Sequence, residues 1–113
     1  MMLTQLDPKV QNRFSISNDD IATFCQHWEI THLALFGSVL RDDFKDESDI
    51  DLLIAFTPEA RQGLLTLAKI KHELESLLKR PVDIVVKSSI ESSENWIRRH
   101  EILGSAQTIY EQG

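Results

Sequence analysis

Two aspartates and a Gly-Ser pair are the residues of this sequence best suited to chemistry. Asp49 and Asp51 open an apolar run, and Gly37-Ser38 closes an earlier one, within the stretch LFGSVLRDDFKDESDIDLLIAF. Side chains alternate between the two faces of a strand, so residues two apart are expected to point the same way. Crowded carboxylates disfavour each other's ionised form unless a cation lies between them. The spacing therefore favours a hard divalent cation with oxygen ligands, typically Mg²⁺.

The Gly-Ser pair would supply the complementary half of such a site. A strand that ends in Gly37-Ser38 and continues into a turn or helix offers backbone N–H groups and a hydroxyl to an anion. Arg41 follows Ser38 closely enough to neutralise a phosphate oxygen. Two Mg²⁺ ions about 3.5–4 Å apart hold the attacking and leaving oxygens in phosphoryl and nucleotidyl transfer. The combination indicates metal-dependent chemistry on a phosphate.

Asp83 is the third candidate acid. It lies inside PVDIVV, an otherwise apolar strand, where an ionised carboxylate is costly unless it is paired or bound to a metal. If this strand neighbours the strand of Asp51, three carboxylates converge. Asp83 could then help to hold the metal and accept the proton of an attacking hydroxyl.

Each candidate also has a purely structural interpretation. Asp49 and Asp51 could belong to a solvated, charged loop, and Ser38 could cap a helix. Arg41 could form a surface ion pair, and Asp83 could face water from an edge strand. The spacing between the Gly-Ser pair and the two acids, together with the third acid, favours the catalytic interpretation.

The elements that must position these residues alternate between helices and strands. Helices are predicted in SISNDDIATFCQHWEI, RQGLLTLAKIKHELESLLKR and SIESSENWIRRHEIL; strands are predicted in THLALF, SDIDLLIAF and VDIVV, with a short apolar-aromatic segment, TIY, at the end. This order predicts an α/β (α+β) fold, in which a small mixed sheet of three to four strands is flanked by helices. Residues 1–15 are expected to form a flexible N-terminal tail, and residues 16–113 a single domain.

Composition and charge narrow the function classes. A net charge of −6 weighs against direct, sequence-independent binding to nucleic acid, but it does not exclude one nucleotide held through a cation. No run approaches the ~20 apolar residues of a membrane helix, so no membrane contact and a cytoplasmic location are expected. The single Cys25 is expected on the core-facing side of a helix. Arg98-Arg99-His100 could be a solvated helix end or could contact a partner.

The motif as a whole resembles the nucleotidyltransferase superfamily that shares its catalytic core with DNA polymerase beta. It is most similar to the minimal nucleotidyltransferases, short prokaryotic proteins with Gly-Ser-x-Ala-Arg-Gly followed by Ser-Asp-Ile-Asp-Leu. The residues that carry the resemblance are Gly37-Ser38, Arg41, Ser48-Asp49-Ile50-Asp51-Leu52 and Asp83. Leu40 stands where alanine is usual, and Asp42 stands where glycine is usual. The resemblance extends from the first helix to near the C-terminus.

The resemblance implies a site, an activity and a partner. The implied catalytic and metal-binding residues are Asp49, Asp51 and Asp83, and the implied nucleotide-binding residues are Gly37, Ser38, Arg41 and Ser48. The implied enzyme is a protein adenylyltransferase that uses Mg²⁺, as two ions, and ATP. It would transfer AMP to a hydroxyl, with tyrosine expected, of a HEPN-family RNase toxin and so act as its antitoxin.

Two other functions are weighed beside this one. A binding antitoxin with a vestigial nucleotide site would neutralise the toxin by forming a complex with it. Transfer to a small molecule such as an antibiotic is disfavoured, because such enzymes usually carry an added domain that holds the acceptor. The HEPN pattern of an arginine followed four to six residues later by a histidine is absent from this sequence, so the RNase would be another chain.

Overall fold

The computed structural model of the chain describes residues 18–40, 49–60 and 63–112. The elements in these ranges alternate between helices and strands, as predicted. They are α1 (Asn18–His27), β1 (Ile30–Phe36), a 3₁₀ helix (Gly37–Leu40), β2 (Ile50–Phe56), α2 (Leu64–Leu78), β3 (Val82–Val86), α3 (Lys87–Glu91), α4 (Trp96–Ser105) and β4 (Gln107–Glu111).

The strands form one mixed sheet in the order β3-β2-β1-β4. β1 runs antiparallel to both β2 and β4, whereas β2 and β3 are parallel. A parallel pair cannot be joined by a tight hairpin, and here α2 provides the crossover between β2 and β3. The predicted small mixed sheet flanked by helices is confirmed, with four strands in the described part of the chain.

Helices cover both faces of the sheet. On the first face, α1 and α2 pack on the strands through a larger core that contains Ile21, Phe24, Leu33, Leu35, Leu52, Ile54, Ile70 and Leu74. On the second face, α3 and α4 pack on the strands through a smaller core made by Ala34, Phe36, Leu53, Ile90 and Ile102. β1 and β2 therefore contribute alternate residues to two separate cores, which explains their nearly continuous apolar sequences.

The end of the chain differs from the sequence prediction. The single helix expected over SIESSENWIRRHEIL is two helices, α3 and α4, separated by residues 92–95. Ser93 Oγ accepts from Asn95 N at 3.2 Å, and Asn95 Oδ1 accepts from Arg98 N at 3.1 Å, which caps α4. Short polar side chains compete with helical hydrogen bonds in this way. The TIY segment lies within β4, an edge strand paired with β1.

Cys25 lies in the larger core, as expected. It is 0% exposed, and burial raises the pKa of its thiol to about 12. No helix in the described ranges is both long enough and apolar enough to cross a membrane. The proposed tail, residues 1–15, lies outside the described residues, so the domain boundary stays a prediction.

His32 on β1 is a titratable group of the second face whose pKa is shifted. Its Nε2 lies 2.8 Å from Thr108 Oγ1 and 4.0 Å from Glu111 Oε2. Its Nδ1 is buried and has no hydrogen-bond partner among the described residues. Burial, and then the charge of Lys87, lower the pKa of His32 from its ordinary value of 6.5, while Glu111 acts in the opposite direction. The folded protein therefore favours the neutral imidazole.

This pKa shift predicts a loss of stability in acid. Below pH 6.5 the unfolded chain binds a proton at His32 more readily than the folded chain, so the free energy of unfolding falls as the pH drops through 6.5 towards the folded-state pKa. We expect urea titrations at about pH 7.5 and about pH 5.5 to show this difference, and His32→Gln to reduce it. His72→Gln, at an exposed position of α2, is the matched control. An unchanged pH dependence in His32→Gln would contradict the assignment.

Candidate active site

Asp51 and Asp83 lie side by side in the sheet. Asp51 is the second residue of β2, and it is paired with Phe36 of β1 on one side and with Asp83 of β3 on the other. Paired residues of neighbouring strands project from the same face, and such strands lie about 4.8 Å apart. The condition that the strand of Asp83 neighbours the strand of Asp51 is met. Both carboxylates belong to the face that α3 and α4 cover.

The register of β2 and β3 is fixed by neighbouring contacts. Ile50 is fully buried in the larger core, and its N–H donates to Pro81 O at 2.9 Å. Val82 N donates to Glu75 Oε2 at 3.1 Å, which ties the start of β3 to α2. A slip of one residue would move the Asp51 carboxylate into the larger core, at a high desolvation cost. The apolar residues of the strand therefore determine where the acid points.

Gly37 places its backbone against the Asp51 carboxylate. Its φ is +76°, a left-handed conformation that residues with a Cβ rarely adopt. A Cβ at this position would overlap Asp51 Oδ2 and would lie 3.1 Å from Cγ. The 3₁₀ helix that begins at Gly37 is anchored by Val39, which is 0% exposed in the larger core. Glycine is therefore required here for two independent reasons: conformation and space.

Two expectations about the acids need correction. β2 begins at Ile50 rather than before Asp49, so Asp49 directly precedes the strand, and Asp49 is exposed. Asp83 is also exposed, because β3 is an edge strand, so the expected cost of burying its charge does not arise. In the ranges that the structure covers, no three His, Cys, Asp or Glu side chains are grouped closely enough to hold a metal ion.

The remaining candidates lie around the 3₁₀ helix and in the loop beyond it. The backbone of Ser38 is in the 3₁₀ helix, as expected for a strand followed by a helix start. Leu40 is half-buried and packs against the larger core, so its effect is on packing. Arg41, Asp42 and Ser48 lie outside the described residues, and their roles stay predictions.

The donor set on this face fits a magnesium ion bound together with a nucleotide. Mg²⁺ commonly takes one or two protein carboxylates and completes its shell with water and substrate phosphates. Asp51 and Asp83 provide two such carboxylates on adjacent strands, and Asp49 precedes the first of them. The glycine backbone at Gly37 borders the same carboxylate, where a larger residue could not fit.

Comparison with known proteins supports the same family. Residues 21–107 match the family model of the nucleotidyltransferase domain. The protein adenylyltransferase MntA of Thermococcus cleftensis is 36% identical over 67 residues, which cover 59% of this chain and 66% of that protein. The match thus spans slightly less than two thirds of the relative's length.

Two solved structures share the fold. A minimal nucleotidyltransferase is 29% identical, with a TM-score of 0.61 over 94% of this chain and 94% of that chain. The complex of a tri-AMPylated HEPN toxin with its MNT antitoxin from Shewanella oneidensis contains a chain with 16% identity and a TM-score of 0.56, over 84% of this chain and 70% of that one. Since the family match includes Gly37, Asp51 and Asp83, the residues that meet on one sheet face, this chain belongs to the nucleotidyltransferase domain family.

Proposed function

We propose that this chain transfers AMP from ATP, with Mg²⁺, to a hydroxyl of a partner HEPN-family RNase toxin, and that the transfer neutralises the toxin in the cytoplasm. Tyrosine is the proposed acceptor residue. The observation that carries the proposal is the pairing of Asp51 with Asp83 beside Gly37. It is supported by the relative named protein adenylyltransferase and by the shared fold with an antitoxin bound to an AMPylated HEPN toxin.

The proposed reaction exchanges one phosphorus–oxygen bond for another. The acceptor oxygen attacks the α-phosphorus of ATP, the bond to the bridging oxygen breaks, and pyrophosphate leaves. Asp83 accepts the proton of the acceptor hydroxyl, and Asp49, Asp51 and Asp83 would hold the metal. When bound, Mg²⁺ neutralises phosphate charge and orients the triphosphate. Because Asp83 is exposed on an edge strand, a hydroxyl on another protein can reach it from solvent.

The nucleotide would be held on the other side of Asp51. Backbone N–H groups of Gly37 and Ser38 would donate to the triphosphate, as a strand that leads into a helical turn permits. Arg41 and Ser48 complete the proposed nucleotide site through the family motif. Together with two metal ions, the backbone N–H groups and the side chains of this nucleotide site would stabilise the negative charge that develops on the phosphate in the transition state.

The experiment that tests the proposal is an intact-mass measurement on a HEPN protein encoded beside this chain. The two proteins are incubated with Mg²⁺ and ATP, and Asp51→Asn runs in parallel. We expect the HEPN protein to gain one or more AMP units with the wild type and none with the variant, because the amide cannot replace an anionic ligand. Asp19→Asn, at an exposed position of α1, is the control and should retain transfer.

Other outcomes would contradict the proposal in distinct ways. If the HEPN protein gains the same mass with Asp51→Asn as with the wild type, Asp51 is not a catalytic residue. If no nucleoside triphosphate yields a mass gain while the two proteins form a tight complex, the chain is a stoichiometric antitoxin. In that case Asp49→Ala combined with Asp51→Ala would still neutralise the toxin.

A further inference from the structure

We propose that α4 presents the surface on which the acceptor protein docks, and that the partner meets it with an acidic patch. The α4 surface consists of Trp96, Ile97, Arg99 and His100. This proposal rests on the proposed function, since transfer to a protein hydroxyl requires a second protein to be held against the carboxylates. No element of the described chain extends beyond the sheet and its helices to hold such an acceptor.

The α4 surface exposes large apolar side chains. Trp96 is 65% exposed and Ile97 is 55% exposed, although both are in the first turn of a helix whose opposite side is buried through Ile102. Tryptophan is enriched among the residues that contribute most to protein–protein binding, because it buries a large rigid area. An exposed pair of this kind is costly to leave in water and favours an interface.

A groove runs along the helix beside this pair. Its lining residues recur at helical spacing and are Trp96, Arg99, His100, Leu103 and Gly104. The Arg99 guanidinium is held in place, since its Nη1 donates to Ser93 O at 2.9 Å. His100 lines the groove and is exposed. The groove thus has an apolar floor, a fixed cation and an exposed polar side chain, which is the usual composition of an interface.

The charge of α4 identifies the chemistry of its partner. The chain has a net charge of −6, yet the residues that line this groove include Arg99 and His100 and no acid. A cationic, aromatic patch on an acidic protein selects an acidic protein surface. RNA is disfavoured, because a site that neutralises only one or two phosphates gains little affinity while the remaining surface repels the strand.

The location of α4 connects docking to chemistry. α4 packs on the second face of the sheet through Ile102, in the same core as Phe36, and Phe36 is paired with Asp51. Trp96 lies six residues before Ile102, or about 9 Å along the helix axis at ~1.5 Å per residue. The α4 surface and Asp51 therefore belong to the same face of the sheet, and a partner that buries a standard ~800 Å² per side is large enough to contact residues beyond α4.

The chain offers a matched control on its opposite face. Leu64 and Leu65 are 88% and 73% exposed at the start of α2, which packs on the first face. They are as apolar as the α4 pair, but they lie on the other face of the sheet, and leucine is under-represented among binding hot spots. Their replacement tests whether any exposed apolar pair would give the same result.

The experiment measures the Kd between this chain and the HEPN protein by calorimetry, and kcat and KM for AMP transfer to it. We expect Trp96→Ala to raise Kd and acceptor KM by at least ~30-fold, while kcat at saturating acceptor stays within about twofold. His100→Glu, at an exposed position of the groove, should raise Kd as well and flatten its dependence on salt. Leu64→Ser with Leu65→Ser should leave both constants unchanged. Circular dichroism confirms that each variant is folded.

Several results would overturn the docking proposal. An unchanged Kd in both Trp96→Ala and His100→Glu, or tighter binding by His100→Glu, would contradict it. So would a weaker complex in the leucine variant alone, or a loss of oligoribonucleotide binding while the Kd for the protein is unchanged. A wild-type complex that forms but transfers no AMP would contradict the proposed function alone, since Kd still reports docking. If Trp96→Ala transfers AMP with the KM of the wild type, the docking proposal is contradicted and the proposed function is not.

Discussion

Replacement of Gly37 by alanine is expected to destabilise the protein and to abolish most of its transferase activity. The left-handed backbone at φ +76° alone costs an L-residue ~1–2 kcal/mol of the free energy of unfolding. The added Cβ also overlaps Asp51 Oδ2, so either the 3₁₀ helix or the carboxylate must move. A displacement of about 1 Å at a catalytic group can cost ~100-fold in rate. Urea denaturation and AMP-transfer rates measure the two effects.

A double-mutant cycle separates the two causes. Asp51→Ala removes the carboxylate but keeps the Cβ of residue 51. That Cβ would lie 3.4 Å from a Cβ at position 37, which is an ordinary contact, so only the backbone cost of Gly37→Ala should remain. Gly104→Ala in α4 is the matched control, because a Cβ there meets nothing within 4 Å. It should be neutral or stabilising, as alanine is favoured over glycine in a helix. Equal losses of stability for Gly37→Ala in both backgrounds would exclude the clash with Asp51.

Replacement of Asp83 by asparagine is expected to lower kcat by 10²–10⁴-fold, the usual contribution of a general base. Asp83 is exposed on the edge strand β3, so the substitution should change the free energy of unfolding by less than ~0.5 kcal/mol. The acceptor KM should stay near that of the wild type, because the residue acts on the proton rather than on docking. Single-turnover transfer at saturating acceptor gives kcat directly.

Two further measurements test the role of Asp83 in proton transfer. Asp83→Glu keeps a carboxylate on the same strand and should recover part of the rate. Its pH–rate profile should retain the acidic limb that Asp83→Asn loses. If Asp83→Asn transfers AMP as fast as the wild type, proton removal by Asp83 is excluded, and the pairing with Asp51 is then structural.

The sequence predicted the elements whose residues carry strong local signals. β3 has the predicted bounds, because Pro81 ends the preceding helix and a run of β-branched residues follows it. α2 is clear from its apolar spacing. The pairing of Asp51 with Asp83 could be stated only as what would follow if their strands were neighbours. The sequence does not show which strands are neighbours or in which register they pair.

Features that depend on distant contacts were missed. The reason for glycine at position 37 comes from Asp51, fourteen residues later, through a contact that no local pattern reveals. A competition between local hydrogen bonds was missed as well. The helix breaks between α3 and α4 because the side chains of Ser93 and Asn95 accept hydrogen bonds from nearby backbone N–H groups. β4 is a short edge strand whose partner, β1, lies more than seventy residues earlier in the chain, so its five residues gave little signal of their own.

The parallel pairing of β2 with β3 determines when a nascent chain can bring its two acids together. Asp51 and Asp83 meet only after the chain has passed through α2 and returned along the sheet. A ribosome-bound chain that has emerged only as far as α2 carries the first carboxylate without the second. Pairings between distant segments also form more slowly than helices. The proposed catalytic pair therefore forms only after β3 has emerged, and we expect no AMP transfer before that point.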